Sequence, residues 1–462
     1  MEDPAVKIAV LGGGITGLTA AWRLSAAGHS VRLLEAAPRL GGAIRSESSG
    51  GWLVEAGPNS FLESAPEIST LFADLGLGPE LVRSAPAAKN RYLALNGALV
   101  GAPMGPGGFF STPLFSLRTK MGILMEIARR PRARPEDVSV AELISDHFGG
   151  EVLERAFQPF IGGVYAGDAR RLSARYGFPK LWEAERTSGS IIRSAIAGAR
   201  RRRARGLKGS APIVSFRSGL QALPDALAAR LPPGSVSLGA EVRSIAKGSG
   251  ARWRVGWSGP AGDDAAEFDG VVSALPAWSL AALEIGAPGA RPLAGLAEVE
   301  YSPVASVFLG FRRDQVRHPL DGFGALIPAT EGSTTLGILF SSSLFAGRAP
   351  EGHVALTVFA GGALRPEVAR LSEEELNKRL AADLQKYVGA QGKPVFSRRT
   401  YWPRAIAQYN LGYGRHLDAM AACERDHPGF LIGGSVRDGI ALPDCILSGI
   451  SLANRAGGPD RS

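Results

Sequence analysis

An α/β fold is predicted for this chain of 462 residues from three observations. Residues 6–11, Val-Lys-Ile-Ala-Val-Leu, form an apolar strand that runs into Gly12-x-Gly14-x-x-Gly17 and a helical pattern. Residues 31–35 read as a second strand ending on the acid Glu35, which completes a βαβ unit. Residues 101–205 carry mainly helical spacing, and the texture after residue 210 changes to short alternating runs. Together these predict a Rossmann-like dinucleotide-binding domain, a mixed-sheet second domain and a helical insert.

The elements follow in order. Residues 18–27 have helical spacing and stop at Gly28, the natural left-handed terminator. Trp52-Leu53-Val54-Glu55 alternates as a strand, and 71–81 reads as a helix. Residues 101–125 are rich in Gly, Pro, Phe, Leu and Met; helical patterns then continue to about 199, interrupted at Gly162-Gly163. Runs 236–238, 241–245, 253–257 and 270–274 alternate like one antiparallel or mixed sheet. Runs 304–311, 325–328, 336–340 and 354–359 make a second strand-rich block, 373–388 is an amphipathic helix, and 430–452 reads as strand, turn and helix. The expected division places the nucleotide-binding domain in 1–87, 206–276 and 415–462, the second, substrate domain in 88–100 and 277–414, and the insert in 101–205.

Composition narrows the class. Hydrophobic residues at 45% and charged residues at 21% are ordinary for a globular enzyme, and the 60 glycines lack a short period, which excludes a fibre. Two cysteines, Cys423 and Cys445, cannot form a disulfide framework and have no metal-ligand spacing, so a reducing compartment is expected. Met1-Glu2-Asp3-Pro4 runs toward the first strand without a basic or apolar leader, so the expected location is cytoplasmic. No apolar run reaches the roughly 18 residues of a membrane span. The net charge of +9 is concentrated in arginines at 129–134 and 200–205. Two readings stand: solvated loops, or attraction to anionic lipid head groups next to the apolar start of the insert. Nucleic acid is not expected, because no aromatic platform accompanies these runs.

The first glycine motif assigns distinct jobs within Gly12, Gly14, Ile15, Thr16 and Gly17. Gly12 permits the tight turn, Gly14 lets backbone approach a pyrophosphate, and Gly17 lets helix pack on strand. The helix N-terminus offers free N–H groups to phosphate. Glu35 can accept ribose hydroxyls, and an acid there argues against a 2′-phosphate. Arg39, Gly41 and Gly42 follow with a cation and unhindered N–H groups, which suits the second half of a longer dinucleotide and points to FAD; a surface turn is the alternative. Gly57, Pro58, Asn59 and Ser60 could bring backbone under an isoalloxazine ring or form an ordinary turn. Gly439, Ile440, Ala441 and Leu442 lead to a second helix N-terminus that could meet the flavin pyrimidine. Cys445 reads as a small buried hydrophobe, and the six histidines lie outside every motif.

The whole set resembles the FAD-dependent amine-oxidase-like superfamily and, within it, the oxygen-dependent protoporphyrinogen oxidases of plastid and bacterial type. The marks are Ala56-Gly57-Pro58-Asn59-Ser60-Phe61, Gly163-Val164-Tyr165-Ala166-Gly167-Asp168, Tyr401-Trp402-Pro403, Gln408-Tyr409-Asn410 and Asp444-Cys445. The resemblance implies oxidation of a tetrapyrrole with O2 as acceptor, and an insert that meets the membrane surface. It implies that Arg91 pairs with a propionate and that the Gly163 carbonyl faces the macrocycle. Leu326 and Leu339 would wall the slot and Phe359 would stack on a pyrrole. Val242 would meet the adenine by its backbone, and Trp402 would stand near the flavin. No dedicated acid–base residue is implied, and a homodimer is left open. The rivals are a coproporphyrinogen oxidase, an amine oxidase, a carotenoid desaturase and a non-enzymatic flavin-bearing binding protein. The lysine common in amine oxidases is missing from 303–311.

Overall fold

The computed structural model describes residues 6–103, 106–204, 211–250 and 252–457; Met1–Pro4 and Arg205, the last member of the second arginine cluster, lie outside the described residues. Among those residues five parallel strands form one sheet, in the order Val236–Leu238, Ser30–Glu35, Lys7–Leu11, Gly270–Ser273, Phe430–Ile432. A parallel sheet must be covered on both faces. Helices Ile15–Ala26 and Leu442–Gly457 cover one face through Leu18, Leu24, Ile446 and Leu452. They cross tightly at Gly449, where a Cβ would stand 2.4 Å from the Thr16 carbonyl oxygen. A smaller sheet of Glu241–Lys247, Trp253–Gly259, Gly262–Phe268 and Glu284–Gly286 covers the other, packing Trp253, Val255 and Phe268 against Ala9, Leu11 and Val271.

This corrects the expected grouping of runs 236–274 into one antiparallel or mixed sheet. Val236–Leu238 and Gly270–Ser273 belong to the parallel sheet, and only the strands between them are antiparallel. The four residues of Gly270–Ser273 are buried on both faces, so alternation carries no information there. The helix expected over 71–81 is also displaced. It spans Pro66–Asp74, because proline suits the first turn, and Gly76 at φ +72° breaks the chain before Leu81 opens a strand.

A second sheet has the order Phe396–Ala407, Tyr301–Arg312, His353–Gly361, Thr335–Leu339, Gly324–Leu326, Tyr92–Leu95, Ala98–Gly101. Helix Glu373–Val388 closes one face, burying Leu376, Leu380 and Leu384 against Val307, Ile338, Leu356 and Val358. Residue parity therefore turns Ser306, Phe359 and Leu326 to the opposite face.

The insert is helical as expected, with its own core of Val140, Leu143, Ile144, Leu153 and Ile161. The expected interruption at Gly162-Gly163 does not occur. The helix that begins at Gly150 continues to Tyr165, widened into π-helical turns at Leu153–Phe157 and Ile161–Tyr165, and ends at left-handed Ala166 (φ 49°). Such wide turns are common near functional sites. Buried Glu126 accepts from the Ile191 N–H at 2.7 Å, the Ser190 hydroxyl at 2.6 Å and His147 Nδ1 at 2.7 Å. It thereby fastens helix Leu117–Glu126 to the start of helix Ile191–Ala204, so the two arginine-bearing segments share one module.

Candidate functional site

The N-terminal glycines form a cradle. Gly12 has φ +97°, and a Cβ there would meet the Ala274 carbonyl oxygen at 3.2 Å. A Cβ on Gly17 would lie 1.9 Å from the Gly12 carbonyl oxygen, so strand end and helix start can touch only without a side chain. Gly14 caps the helix Ile15–Ala26 with no side-chain hydrogen bond, and a Cβ on it would meet nothing within 4 Å. Ile15, Thr16 and Gly17 are buried in the first turn. An uncapped helix start with open space above it is what a pyrophosphate needs.

The second loop folds onto the first. The Gly41 N–H donates to the Gly13 carbonyl at 2.8 Å, and Gly42, at φ +59°, faces the Gly14 Cα. Arg39 donates to the carbonyls of Leu40 and Ile44 at 3.0 Å and of Gly42 at 2.6 Å. Burial and the neighbouring Arg45 lower its pKa. Arg39 therefore shapes the loop and places positive charge behind the cradle. Glu35 accepts from the Gly13 N–H at 2.6 Å and the Ala37 N–H at 2.7 Å. Its remaining lone pairs are free geometrically for ribose hydroxyls. The Ala240 N–H bonds the Glu35 carbonyl at 2.8 Å, which puts half-buried Val242 two residues along the adjoining strand.

The turn at 57–60 is drawn in closely: a Cβ on Gly57 would lie 2.0 Å from the Ala43 carbonyl oxygen. Pro58, Asn59 and Ser60 are half-buried, and Asn59 donates to the Gly57 carbonyl at 3.1 Å. Trp402 Nε1 donates to the Ala56 carbonyl at 2.8 Å, locking this turn to the edge strand of the second sheet. Gly439 (φ +117°) precedes half-buried Ile440 and Leu442, with Ala441 exposed between them. Cys445 is buried behind this loop, and burial pushes its thiol up to about 12. That makes it a packing residue and a poor nucleophile.

The open face of the second sheet supplies a floor. Strand register aligns Thr400, Ser306, Phe359, Gly337, Leu326 and Leu93 in one row across six strands. Trp402 lies opposite Val304, one row away, and Leu339 lies opposite Gly324 on the other side. Gly337 bears no side chain, and Leu326 Cδ2 leans over it, 3.5 Å from where a Cβ would stand. Gly163 in the last π-helical turn approaches from above; a Cβ on it would lie 2.3 Å from Leu326 Cδ2. Arg91 is exposed at the start of strand Tyr92–Leu95, two residues before Leu93 and of the same parity. Its guanidinium stacks on Phe323 with 5.3 Å to the ring centroid and donates to the Lys89 carbonyl at 3.3 Å. Ser306, Gly337 and Thr400 in this row, and Leu336, whose Cδ2 would stand 3.8 Å from a Cβ on Gly162, are residues that no sequence pattern revealed. His147 sits between Glu126 and Glu185 inside the insert and joins neither cradle nor floor.

A cradle for a long dinucleotide beside a second, mixed sheet is the architecture of a flavin-dependent oxidoreductase. The chain belongs to the flavin-containing amine oxidoreductase family, whose pattern matches residues 15–456, and FAD is its cofactor. It is similar to protoporphyrinogen oxidase 2, chloroplastic/mitochondrial, of Arabidopsis thaliana, with 34% identity over 97% of this chain and 93% of that one. It is similar to protoporphyrinogen oxidase of Bos taurus at 34% identity over 98% of both chains. Coproporphyrinogen III oxidase of Bacillus subtilis is 28% identical over 99% of both chains. Among solved structures, cyclohexylamine oxidase from Brevibacterium oxydans shares the fold, with TM-score 0.71 and 18% identity over 98% of this chain and 99% of that one.

Proposed function

We propose that this enzyme oxidises protoporphyrinogen IX to protoporphyrin IX with O2 as acceptor. Three two-electron steps remove six hydrogens and turn three O2 into three H2O2. The observation that carries this reading is the apolar floor of Phe359, Leu326 and Leu339 beside the exposed cation Arg91. A porphyrinogen is a large apolar disc with carboxylates on one edge, and it needs these two surfaces together. Bound FAD supplies the hydride-accepting ring. The chain's residues bind, orient and exclude water: Gly12, Gly14, Gly17, Gly41 and Gly42 with Glu35 hold the pyrophosphate and ribose, and Val242 the adenine. The segments 57–60 and 439–442 with Trp402 hold the ring. Arg91 takes a propionate through parallel hydrogen bonds. Gly163, packed directly against Leu326, would meet the edge of the macrocycle.

A second reading, oxidation of coproporphyrinogen III, is favoured by exposed Lys89, which stands two residues from Arg91 and could serve additional carboxylates. Turnover of the flavin-loaded protein on each porphyrinogen, with H2O2 counted, tests both. Faster use of protoporphyrinogen IX is expected; preference for coproporphyrinogen III would replace the first reading by the second, and turnover of neither would sink both.

The division of labour proposed is a cofactor domain (1–87, 206–276, 415–462), a substrate domain (88–100, 277–414) and a surface-binding insert (101–205). Leu117 at 74%, Met125 at 69%, Phe110 at 55% and Met121 at 50% exposure support the last, together with exposed Arg118, Arg129, Arg130 and Arg132. No helix among the described residues is long and apolar enough to cross a membrane. The protein would therefore rest on the cytoplasmic face of a bilayer and take up an apolar substrate there, as a monomer or a homodimer.

A further inference from the structure

Two sequence segments, 163–168 and 408–410, are selective marks of this chain, yet the second touches neither the floor nor the phosphate cradle. In the fold it is a knot. Buried Gln408 donates from its side-chain amide to the Tyr165 carbonyl at 3.0 Å, and its N–H donates to the Glu300 carbonyl at 2.9 Å. The Tyr409 carbonyl accepts from the Ser173 N–H at 2.8 Å, and the Leu411 N–H donates to the Arg171 carbonyl at 2.8 Å. Residues 408–411 are thus sewn to the middle of the insert, at the chain that leaves the π-helical turn carrying Gly163.

The Tyr409 side chain points the other way. Its hydroxyl donates to the Ser435 carbonyl at 3.0 Å and accepts from the Gly439 N–H at 3.1 Å. The ring stacks on Tyr413 with centroids 4.1 Å apart and planes at 18°, and the Tyr413 hydroxyl donates to the Val436 carbonyl at 2.6 Å. Two buried phenols therefore hold the loop between strand Phe430–Ile432 and helix Leu442–Gly457. That loop includes Gly439 at φ +117°, a conformation that glycine adopts freely and other residues rarely do. Burial raises the Tyr409 phenol, so the hydroxyl stays protonated at neutral pH and remains a donor.

We propose that Tyr409 is a positioning residue for the bound flavin: its hydroxyl sets the loop that leads into residues 439–442, and its backbone ties that loop to Ser173 of the insert. This rests on the reading of 439–442 as a cofactor-contacting segment. Tyr409→Phe keeps the ring stack and leaves the Ser435 carbonyl and the Gly439 N–H without their partner. A buried group left in that state is costly, which corresponds to about a tenfold effect when it is felt at the ligand.

The test compares wild-type, Tyr409→Phe and Gly439→Val holoenzymes by FAD dissociation constant, read from the fluorescence of released flavin, and by the midpoint potential of the bound flavin. We expect FAD to bind about tenfold more weakly to Tyr409→Phe, with a shifted potential. A role in folding alone would leave the potential unmoved. Wild-type affinity and potential in Tyr409→Phe, with weakened binding in Gly439→Val, would overturn the role of Tyr409 and spare the loop reading. Unchanged FAD binding in Gly439→Val would overturn the loop reading itself. Should Tyr409→Phe fail to accumulate, Tyr413→Phe removes a bond to the same loop; a smaller shift of the same sign is expected, and none would refute the clamp.

Discussion

The two large sheets of this protein do different work because they are covered differently. The parallel sheet is packed on both faces, by Ile15–Ala26 and Leu442–Gly457 on one side and the small antiparallel sheet on the other. Its chemistry can appear only at the carboxyl ends of the strands, in the turns of Gly12–Gly17 and Glu35–Gly42. The second sheet is packed on one face by Glu373–Val388; on the other, Trp52 and Val54 cover Phe308 and Ala355, and half-buried Thr400, Phe359 and Leu326 lie in the neighbouring row. It offers an area where the first offers a rim. A charged, narrow dinucleotide suits a rim of backbone N–H groups, and a broad apolar disc suits an area.

The largest expected effect breaks the rim. Gly17→Val places atoms within 1.9 Å of the Gly12 carbonyl oxygen, so the helix must move off the strand. The purified variant should carry no flavin absorbance near 450 nm, and retention of full FAD content would contradict the cradle. Arg91→Ala addresses the area and leaves the rim intact. Loss of a charge-assisted contact should raise the KM for porphyrinogen by roughly 10- to 100-fold with FAD content unchanged; loss of FAD instead would place Arg91 on the wrong side of the comparison. Gly337→Leu should push Leu326 out of its place on this face, because a Cβ alone would stand 3.5 Å from Leu326 Cδ2, and lower kcat/KM about tenfold, again with flavin retained; unchanged turnover would exclude this face as the floor.

A weaker effect concerns the insert. Met121→Asp with Met125→Asp should reduce sedimentation with anionic vesicles at low salt without changing turnover on detergent-dispersed substrate. Vesicle binding equal to that of the parent would dissociate the exposed helix from lipid. The smallest effect is alkaline. Burial pushes the folded Cys445 thiol up to about 12 from its usual 9, so its contribution is complete below 9 and declines as pH rises toward the folded value. Cys445→Ala should flatten that part of the stability curve in thermal unfolding scans from pH 8 upward; an unaltered slope would remove Cys445 as its source.

The cradle was legible because every part of it is local. Gly12, Gly14, Gly17 and Glu35 lie within one βαβ unit, and their spacing alone constrains the backbone. Helix Glu373–Val388 was legible to the residue because one apolar stripe faces one core. Other elements were not. Strand Phe396–Ala407, which carries Trp402, includes Pro403 and three arginines. It is tolerated as a strand because it lies at the sheet edge, where a missing N–H costs no ladder bond. Gly162-Gly163 looked like a helix breaker, yet packing of the insert core kept the helix going as a wide turn.

What the sequence by itself determined is the cofactor: the phosphate-binding geometry is encoded in consecutive residues whose backbone freedom is set by glycine. What only the tertiary structure decided is the row of residues proposed as the floor of the slot. Thr400, Ser306, Phe359, Gly337, Leu326 and Leu93 come from six strands, and they form one surface only through a register that long-range pairing imposes. Local pattern can show that a residue faces one side of a strand; which neighbours share that side depends on contacts between distant parts of the chain.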